Sequence, residues 1–205
     1  MKKRFKVAIQ MDPLEKINPN EDSTFVIAKE AQDRGYKTFH YLPKDISLKN
    51  NKIIAIGSYF KIINSKKNFF KKEKKQSVIL NDFNCVLIRQ DPPFNMEYIT
   101  ATYFLEMLNK NVIVINNPSE IRNNPEKLSM FKFKNIIPQT LISENLKEIE
   151  NFIKKNPFTI LKPMYGNGGE GIEKVKRGSL KNKKIINKMI KKYKGAIIAQ
   201  KFIKE

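Results

Sequence analysis

The sequence has one cysteine, one histidine, no tryptophan and no long apolar run. The single thiol, Cys85, excludes a disulfide framework and a cysteine-based metal cluster. The single histidine, His40, has no cysteine or carboxylate at the spacing of a metal site. No stretch approaches the roughly 18 consecutive apolar residues of a membrane span. These absences predict a soluble cytosolic protein without a membrane partner.

Arginine and acidic residues are also scarce. The 205 residues contain 40 Lys+Arg against 20 Asp+Glu, a formal charge of +20, and such an excess is typical of nucleic-acid-binding proteins. However, 35 of the basic residues are lysines, whereas nucleic-acid surfaces favour arginine. Lysine, asparagine, isoleucine and phenylalanine make up nearly half of the chain, as A+T-rich coding produces. We therefore expect no nucleic-acid partner.

The first part of the chain has the pattern of a parallel α/β sheet. Asp22 or Ser23 can cap a first helix and Gly35 can end it, which gives a β-α-β unit. A ribbon is predicted to turn at Asn50-Asn51, and the Lys-rich stretch 64–77 suggests either a polyanion patch or a solvated loop. The predicted strands are 5–11, 38–42, 53–56, 59–63, 85–89 and 111–116, and the helices are 24–34 and 96–108. We expect a first domain over residues 1–120.

The second part reads as a separate, mixed α+β domain over residues 121–205. Ser143 is expected to cap its longest early helix, and the last strand is followed by no helix that could cover it. The predicted elements are helices at 126–133, 143–156 and 180–193 and strands at 139–142, 158–162, 172–176 and 196–202. This pattern indicates an incomplete second domain.

A glycine cluster carries the strongest chemical signal. Lys162-Pro163 leads into Gly166, Gly168, Gly169 and Gly171, and glycines let backbone N–H groups approach phosphate oxygens. No Gly-Lys-Ser/Thr follows, and a strand rather than a helix comes next, which excludes a Walker A loop and a dinucleotide fingerprint. Two interpretations stay open: a flap over nucleotide phosphates or a glycine-rich hairpin turn.

Other candidate residues are individually ambiguous. Lys127 could contact a phosphate, although it is one lysine among 35. Arg89 and Asp91, at the end of a predicted strand, could bind a carboxylate and an amine or could form a structural ion pair. Cys85 is expected to be a small core residue rather than a nucleophile. The sequence shows neither paired carboxylates nor a nucleophile–base pair. It therefore identifies no catalytic residues.

Seven segments occur in an order that resembles the bacterial glutathione synthetases, an ATP-grasp family. They are Met11-Asp12-Pro13, Asp22-Ser23-Thr24-Phe25, residues 30–35, Asp91-Pro92-Pro93-Phe94 with residues 96–99, Ala101-Thr102-Tyr103, Asn124-Pro125-Glu126-Lys127-Leu128, and Leu161-Lys162-Pro163 with the glycine loop. Each segment alone is weak, but the ordered series is specific and extends from Lys6 to Ile203.

The resemblance implies an α/β fold with an N-terminal parallel-sheet, Rossmann-like pre-ATP-grasp domain and an incomplete α+β ATP-grasp domain. It implies ATP-dependent ligation of γ-glutamylcysteine and glycine through an acyl phosphate, with Mg²⁺ held by residues beyond position 205. Arg89 and Asp91 would bind γ-glutamylcysteine. The residues that would bind ATP are Lys127, Lys162, Gly166, Asn167, Gly168, Gly169, Gly171, Gln200, Lys201, Phe202 and Ile203.

The sequence departs from the family at two positions. Gln90 stands where the family usually has lysine, which puts one substrate-side charge in doubt, and Tyr165 stands where the family's glycine loop begins with Asp. The resemblance also implies homo-oligomers, which the family often forms. We expect the 205 residues alone to lack ligase activity. The alternative functions are another ATP-grasp carboxylate–amine ligase and a basic nucleic-acid-binding module.

Overall fold

A computed structural model describes residues 4–63, 69–166 and 168–204. The chain divides into two compact units. The first contains residues up to 91 together with 95–123, and the second contains 92–94 together with the residues from 124 onward. The predicted Asn167 and part of the Lys-rich stretch lie outside the described residues.

The first unit is built on one seven-stranded sheet with the order β4-β3-β2-β1-β6-β7, and β5 pairs with the other half of β3. Strands β1, β2, β6 and β7 run parallel, whereas the pairings of β3 are antiparallel. The elements are β1 (Lys6–Gln10), α1 (Ser23–Asp33), β2 (Lys37–Lys49), β3 (Lys52–Ile62), β4 (Phe70–Lys72), β5 (Gln76–Ile79), β6 (Cys85–Ile88), α2 (Met96–Glu106), β7 (Ile113–Ile115) and α3 (Pro118–Asn123).

The central strand β1 is apolar because it is covered on both faces. Val7 and Ile9 pack with Ala28 of α1, whereas Ala8 packs on the opposite face with Leu105 of α2. A strand buried on both sides requires a nearly continuous apolar run, and this run made β1 recognisable. The predicted α/β class is therefore confirmed.

The periphery of this sheet differs from the prediction. The turn at Asn50-Asn51 is confirmed, and both residues have positive φ (49° and 59°) as a two-residue hairpin turn requires. However, the hairpin is longer than expected, because β2 and β3 are continuous strands of 13 and 11 residues. The described end of the Lys-rich stretch contributes β4 and the start of β5 rather than loop alone.

The second unit contains a four-stranded antiparallel sheet with the order β10-β9-β11-β8. Its elements are α4 (Glu126–Ser129), β8 (Thr140–Ser143), α5 (Leu146–Lys155), β9 (Phe158–Pro163), β10 (Glu173–Lys176), α6 (Asn182–Tyr193) and β11 (Ile197–Lys201). The expectation of an uncovered last strand is wrong. β11 lies between β9 and β8, and Ile197, Ile198 and Ala199 are buried, because the chain returns to the middle of its sheet.

Helices α5 and α6 cover one face of this sheet. Ile149 of α5 and Ile186 of α6 are fully buried against Leu161 of β9. Asn145, not Ser143, caps α5: its side chain accepts the N–H groups of residues 147 and 148, while Ser143 Oγ accepts the N–H of Asn145. The even-numbered side chains of β9 point to the other face of the sheet.

The described residues offer neither a membrane-spanning helix nor a metal-binding cluster. Over 4–63, 69–166 and 168–204, no helix is long and apolar enough to cross a membrane. The same ranges contain no group of three or more His, Cys, Asp or Glu side chains that could hold a metal ion.

Candidate functional sites in the two units

The first unit has a cleft at the carboxyl ends of β1 and β6. Chain connections leave these adjacent parallel strands in opposite directions, and such a switch point is where ligands bind in open α/β sheets. The cavity has a volume of about 270 Å³. Its lining residues are mostly polar: Met11, Asp12, Ile17, Glu21, Asp22, Ser23, Thr24, Arg89 and Asp91.

Arg89 is held in this cleft by two hydroxyl groups of α1. Its Nε donates to Thr24 Oγ1 at 3.0 Å and its Nη2 donates to Ser23 Oγ at 2.7 Å. Among the described residues it forms no ion pair with Asp91, so the structural ion pair considered from the sequence is not present. The guanidinium keeps its charge without a carboxylate partner and is oriented by neutral groups.

Asp12 and Asp91 are linked through the backbone. The carboxylate oxygen Oδ2 of Asp12 accepts the N–H of Asp91 at 2.7 Å. Burial raises the pKa of Asp91, the carboxylates of Asp12 and Asp22 raise it further, and Arg89 only partly opposes them. The cleft therefore combines an arginine with several carboxylates that repel one another, and a cationic group would relieve this repulsion.

Gln90 does not line this cleft. Its side chain is buried and points away from Arg89, as alternation along an extended chain requires. There its Oε1 accepts a hydrogen bond from Gln10 Nε2. The exchange of the family's lysine for Gln90 therefore falls within a buried amide pair. It leaves the charges of Arg89 and Asp91 in place.

The second unit brings predicted residues together on the sheet face opposite α5 and α6. Lys162 Nζ of β9 donates to Gln200 Oε1 of β11 at 2.8 Å, and Gln200 Nε2 donates to Thr140 Oγ1 of β8 at 2.9 Å. This row crosses three neighbouring strands, because their register places these side chains on one face. The amide of Gln200 fixes the lysine in position and leaves its charge unneutralised.

Lys127 reaches the start of the glycine loop from α4. Its Nζ donates to the carbonyl oxygens of Pro163 at 2.8 Å and Gly166 at 2.9 Å. Burial lowers the pKa of Lys127, the carboxylate of Glu126 opposes this effect, and the positive charge of Lys162 adds a smaller lowering. Within the described residues, the hydrogen-bond partners of Lys127 and Lys162 are neutral carbonyl and amide oxygens, which makes the site suited to an anion.

The glycine loop joins the antiparallel strands β9 and β10, as expected from the sequence. Gly171 has φ of +73°, and a Cβ at this position would lie 1.9 Å from Tyr193 Oη. A larger residue there would combine a left-handed backbone with a displacement of the Tyr193 side chain. Gly168 and Gly169 also have positive φ, but a Cβ on either would meet open space. Tyr165, at the start of the loop, is half exposed, and its ring lies 5.9 Å from that of Phe94.

The remaining predicted residues lie at the end of β11. Phe202 N–H donates to Phe158 O at 3.0 Å, and Lys174 Nζ lies 3.6 Å from the centroid of the Phe202 ring. Ile203 is 63% exposed, so it adds apolar surface just after β11. Lys201 is not brought to this row, because strand alternation directs its exposed side chain to the opposite face.

Several contributing residues were not identified from the sequence. Ser23 and Thr24 orient Arg89 in the cleft, and Thr140 and Tyr193 support the second site, whereas Asp12 was already expected at the carboxyl end of its strand, where ligands bind. Ser23, Thr24 and Asp12 stand within the ordered segments quoted above, so their position there was an available signal. Thr140 and Tyr193 stand outside those segments, and only the sheet register and the packing of α6 reveal them. Cys85 is buried in the core as expected, and burial raises the pKa of its thiol.

The fold places the chain among the ATP-grasp proteins. The crystal structure of an ATP-grasp protein with a RimK domain from Sphaerobacter thermophilus matches 97% of this chain and 64% of that chain, with a TM-score of 0.58. The sequence identity of 15% means that this likeness shows the fold alone.

The chain belongs to the prokaryotic glutathione synthetase family. The model of that family's N-terminal domain matches residues 5–122, and the model of its ATP-grasp domain matches residues 126–205. Glutathione synthetase of Agrobacterium fabrum is 38% identical over 197 residues, and that of Buchnera aphidicola subsp. Baizongia pistaciae is 39% identical over 199 residues. Each match covers 96% of this chain. The chain spans 62% and 61% of the lengths of these two relatives.

Proposed function

We propose that this chain provides the substrate-side domain and the first part of the ATP-grasp domain of a glutathione synthetase. The proposed overall reaction joins γ-glutamylcysteine to glycine with conversion of ATP to ADP and phosphate. The observation that carries this proposal is the pairing of Lys127 and Lys162 beside the glycine loop, in a chain of this family. The first unit would be the substrate-side domain.

ATP phosphates fit the site in the second unit. An anion would offset the cost of holding Lys127 and Lys162 close together, and it would replace the neutral carbonyl partners of Lys127. The loop from Gly168 to Gly171 would supply backbone N–H donors without steric hindrance. We infer that Phe202 and Ile203 line the adenine side, next to Gln200.

γ-Glutamylcysteine fits the cleft of the first unit by charge. Its γ-glutamyl end carries one ammonium and one carboxylate group. Arg89 can bind the carboxylate, and the repulsion among Asp12, Asp22 and Asp91 favours an ammonium group between them. The site expected from the sequence contained only Arg89 and Asp91, and this proposal adds the carboxylates of Asp12 and Asp22 to it.

The proposed chemistry has two steps. The γ-phosphoryl group of ATP passes to the cysteinyl carboxylate, which gives an acyl phosphate and ADP. The glycine amine then attacks the acyl carbon, a C–N bond forms and phosphate leaves. Lys127 and Lys162 would stabilise the charge on the phosphoryl oxygens during transfer. The described residues contain no metal-binding cluster, so we assign no role in these steps to a metal on them.

Isothermal titration calorimetry of the 205-residue chain tests the proposal. We expect binding of ATP and of γ-glutamylcysteine, and much weaker binding of the α-linked isomer of glutamylcysteine. The isomer is a matched control because it has the same composition and net charge but separates the ammonium and carboxylate groups differently.

Two results would overturn the proposal. Binding of ATP without discrimination between the two isomers would indicate another ATP-grasp carboxylate–amine ligase. Binding of neither ligand, together with salt-sensitive binding of nucleic acid, would indicate a basic nucleic-acid-binding module.

A further inference from the structure

His40 lies directly behind the cleft of the first unit. It stands on β2, as the register partner of Ile9, and only 6% of its surface is exposed. Its Nε2 lies 3.0 Å from the carbonyl oxygen of Asp12. Because a carbonyl can only accept, Nε2 carries the proton in this hydrogen bond.

The hydrogen bond from His40 continues into the cleft through Asp12. The backbone of Asp12 is held by His40, and the carboxylate of Asp12 accepts the N–H of Asp91. A side chain on β2 is thereby connected to the residues that follow β1 and β6. Asp12 and Asp91 both line the cavity, whereas His40 does not.

The surroundings of His40 favour its neutral form. Burial lowers the pKa of His40, and the ammonium group of Lys72 on β4 lowers it further, while Glu15 and the carbonyl oxygens of Asp12 and Met11 act in the opposite direction. Glu15 is itself engaged with Lys72 at 2.5 Å. Phe60 of β3 adds an aromatic ring, with its centroid 6.4 Å from that of His40.

We propose that His40 is a positioning residue that sets the geometry of Asp12 and Asp91 in the cleft and makes ligand binding there sensitive to pH. Protonation at Nδ1 keeps the Nε2–H donor to the carbonyl oxygen of Asp12 but adds a second positive charge near Lys72 behind the cleft. This charge opposes the binding of an ammonium group beside the carboxylates of Asp12 and Asp91. The coupling of His40 to Asp12 and Asp91 stands on the hydrogen bonds alone. Its effect on affinity rests on the proposed function, the binding of γ-glutamylcysteine in this cleft.

Nuclear magnetic resonance of the unliganded chain tests the coupling directly. Because His40 is the only histidine, its imidazole signals report its ionisation without ambiguity. We expect one component of the shift of the Asp91 amide proton to follow the midpoint of the His40 imidazole signals, which burial places below the usual pKa of histidine. The variant His40→Gln keeps a donor at the reach of Nε2 but does not titrate, so this component should disappear while the component from the Asp91 carboxyl group remains.

Binding of γ-glutamylcysteine provides the functional readout. His40→Leu should weaken binding about tenfold at pH 7.5, the factor that corresponds to one net hydrogen bond. His40→Gln should restore most of the affinity and remove the part of the pH-dependent loss of affinity whose midpoint follows the His40 imidazole signals. The matched control is Thr38→Val, on the same strand and face, which removes a hydrogen bond to Phe60 O and should leave affinity and pH profile unchanged.

The outcomes are separable. A titrating His40 with an Asp91 amide that does not respond would overturn the inference, as would equal affinities of the Leu and Gln variants. A wild type that does not bind γ-glutamylcysteine would instead contradict the proposed function, while the coupling between His40 and Asp91 would still be decided by the resonance measurement.

Discussion

The two candidate sites carry opposite unbalanced charges. In the first unit, burial and the neighbouring carboxylates of Asp12 and Asp22 raise the pKa of Asp91. In the second unit, burial lowers the pKa of Lys127, and Lys162 lowers it further against the opposing charge of Glu126. The first site is therefore prepared for a cationic group beside a carboxylate, and the second is prepared for a polyanion.

The two sites also differ in how their charged groups are held. Arg89 is fixed by two hydroxyl groups in the first turn of α1, and Asp12 accepts the N–H of Asp91 in the segment that follows β6. The partners of Lys127 are carbonyl oxygens at the start of a loop. We infer that the first site is preorganised, whereas the second exchanges loop contacts for ligand contacts. The predictions below test this difference, from the largest expected effect to the smallest.

Removal of both lysine charges should have the largest effect. The double variant Lys127→Met with Lys162→Met should weaken ATP binding by at least about a hundredfold, because each charged hydrogen bond contributes roughly 1.5–3 kcal/mol. Titration calorimetry measures the change. Affinity for γ-glutamylcysteine, measured on the same sample, should remain at the wild-type value. A parallel loss of both affinities would contradict the assignment of the two ligands to separate sites.

Gly171→Ala should destabilise the second unit by more than the roughly 1 kcal/mol of left-handed backbone strain, because the side chain of Tyr193 must also shift to admit the Cβ. Gly169→Ala is the matched control, with φ of +75° but open space around its Cβ, and should cost only the strain. Hydrogen exchange of amides in β9 and β10 measures the difference. Equal effects of the two substitutions would show that Tyr193 does not restrict the loop.

Arg89→Lys should weaken γ-glutamylcysteine binding about tenfold. Lysine keeps the charge, but it lacks the planar guanidinium that can donate to Ser23, to Thr24 and to a ligand carboxylate at once. Loss of one hydrogen bond to the ligand, about 1.4 kcal/mol, corresponds to a tenfold lower affinity. The control Thr24→Ser retains the hydroxyl group and should bind as the wild type does. If Arg89→Lys also binds normally, Arg89 acts only as a charge and the first site is not preorganised.

Asp91→Asn should have the smallest effect and should slightly increase stability at neutral pH. Because the pKa of Asp91 is raised in the folded state, folding is favoured by its protonated form. An aspartate in the unfolded chain has a pKa of about 4. As the pH rises from that value through the raised pKa of the folded state, ionisation of Asp91 lowers the free energy of unfolding. Thermal unfolding should show a higher Tm for the variant at pH 7 and no difference at pH 3. A lower Tm of the variant at pH 7 would contradict the claim that burial and the carboxylates of Asp12 and Asp22 destabilise the Asp91 carboxylate.

The sequence was most informative where one physical constraint dominates. The apolar run of β1 and the capping of α1 by Asp22 predicted the β-α-β unit, because burial on both faces and free first-turn N–H groups each demand particular residues. The length of the β2–β3 hairpin was underestimated because Pro43 interrupts the strand pattern of β2. The pairing with β3 shifts register between Tyr41 and Ile46 and continues on both sides of this irregularity.

Positions that depend on distant partners were less predictable. His40, isolated in the sequence, acquires a role only when β2 places it against Asp12, 28 residues away. Similarly, the central place of β11 follows from pairing with β8 and β9, which a linear reading of the last residues cannot show. The candidate lysines could be named from the resemblance, but their unneutralised arrangement required the structure.

The most direct test of the two-site account is amide chemical-shift mapping of the chain with each ligand in turn. The account predicts that γ-glutamylcysteine shifts the amides of Asp12, Ser23, Arg89 and Asp91, and that ATP shifts those of Lys162, Gly169, Gly171 and Gln200. Shifts of the cleft amides by ATP alone, or no response of the cleft to γ-glutamylcysteine, would contradict it.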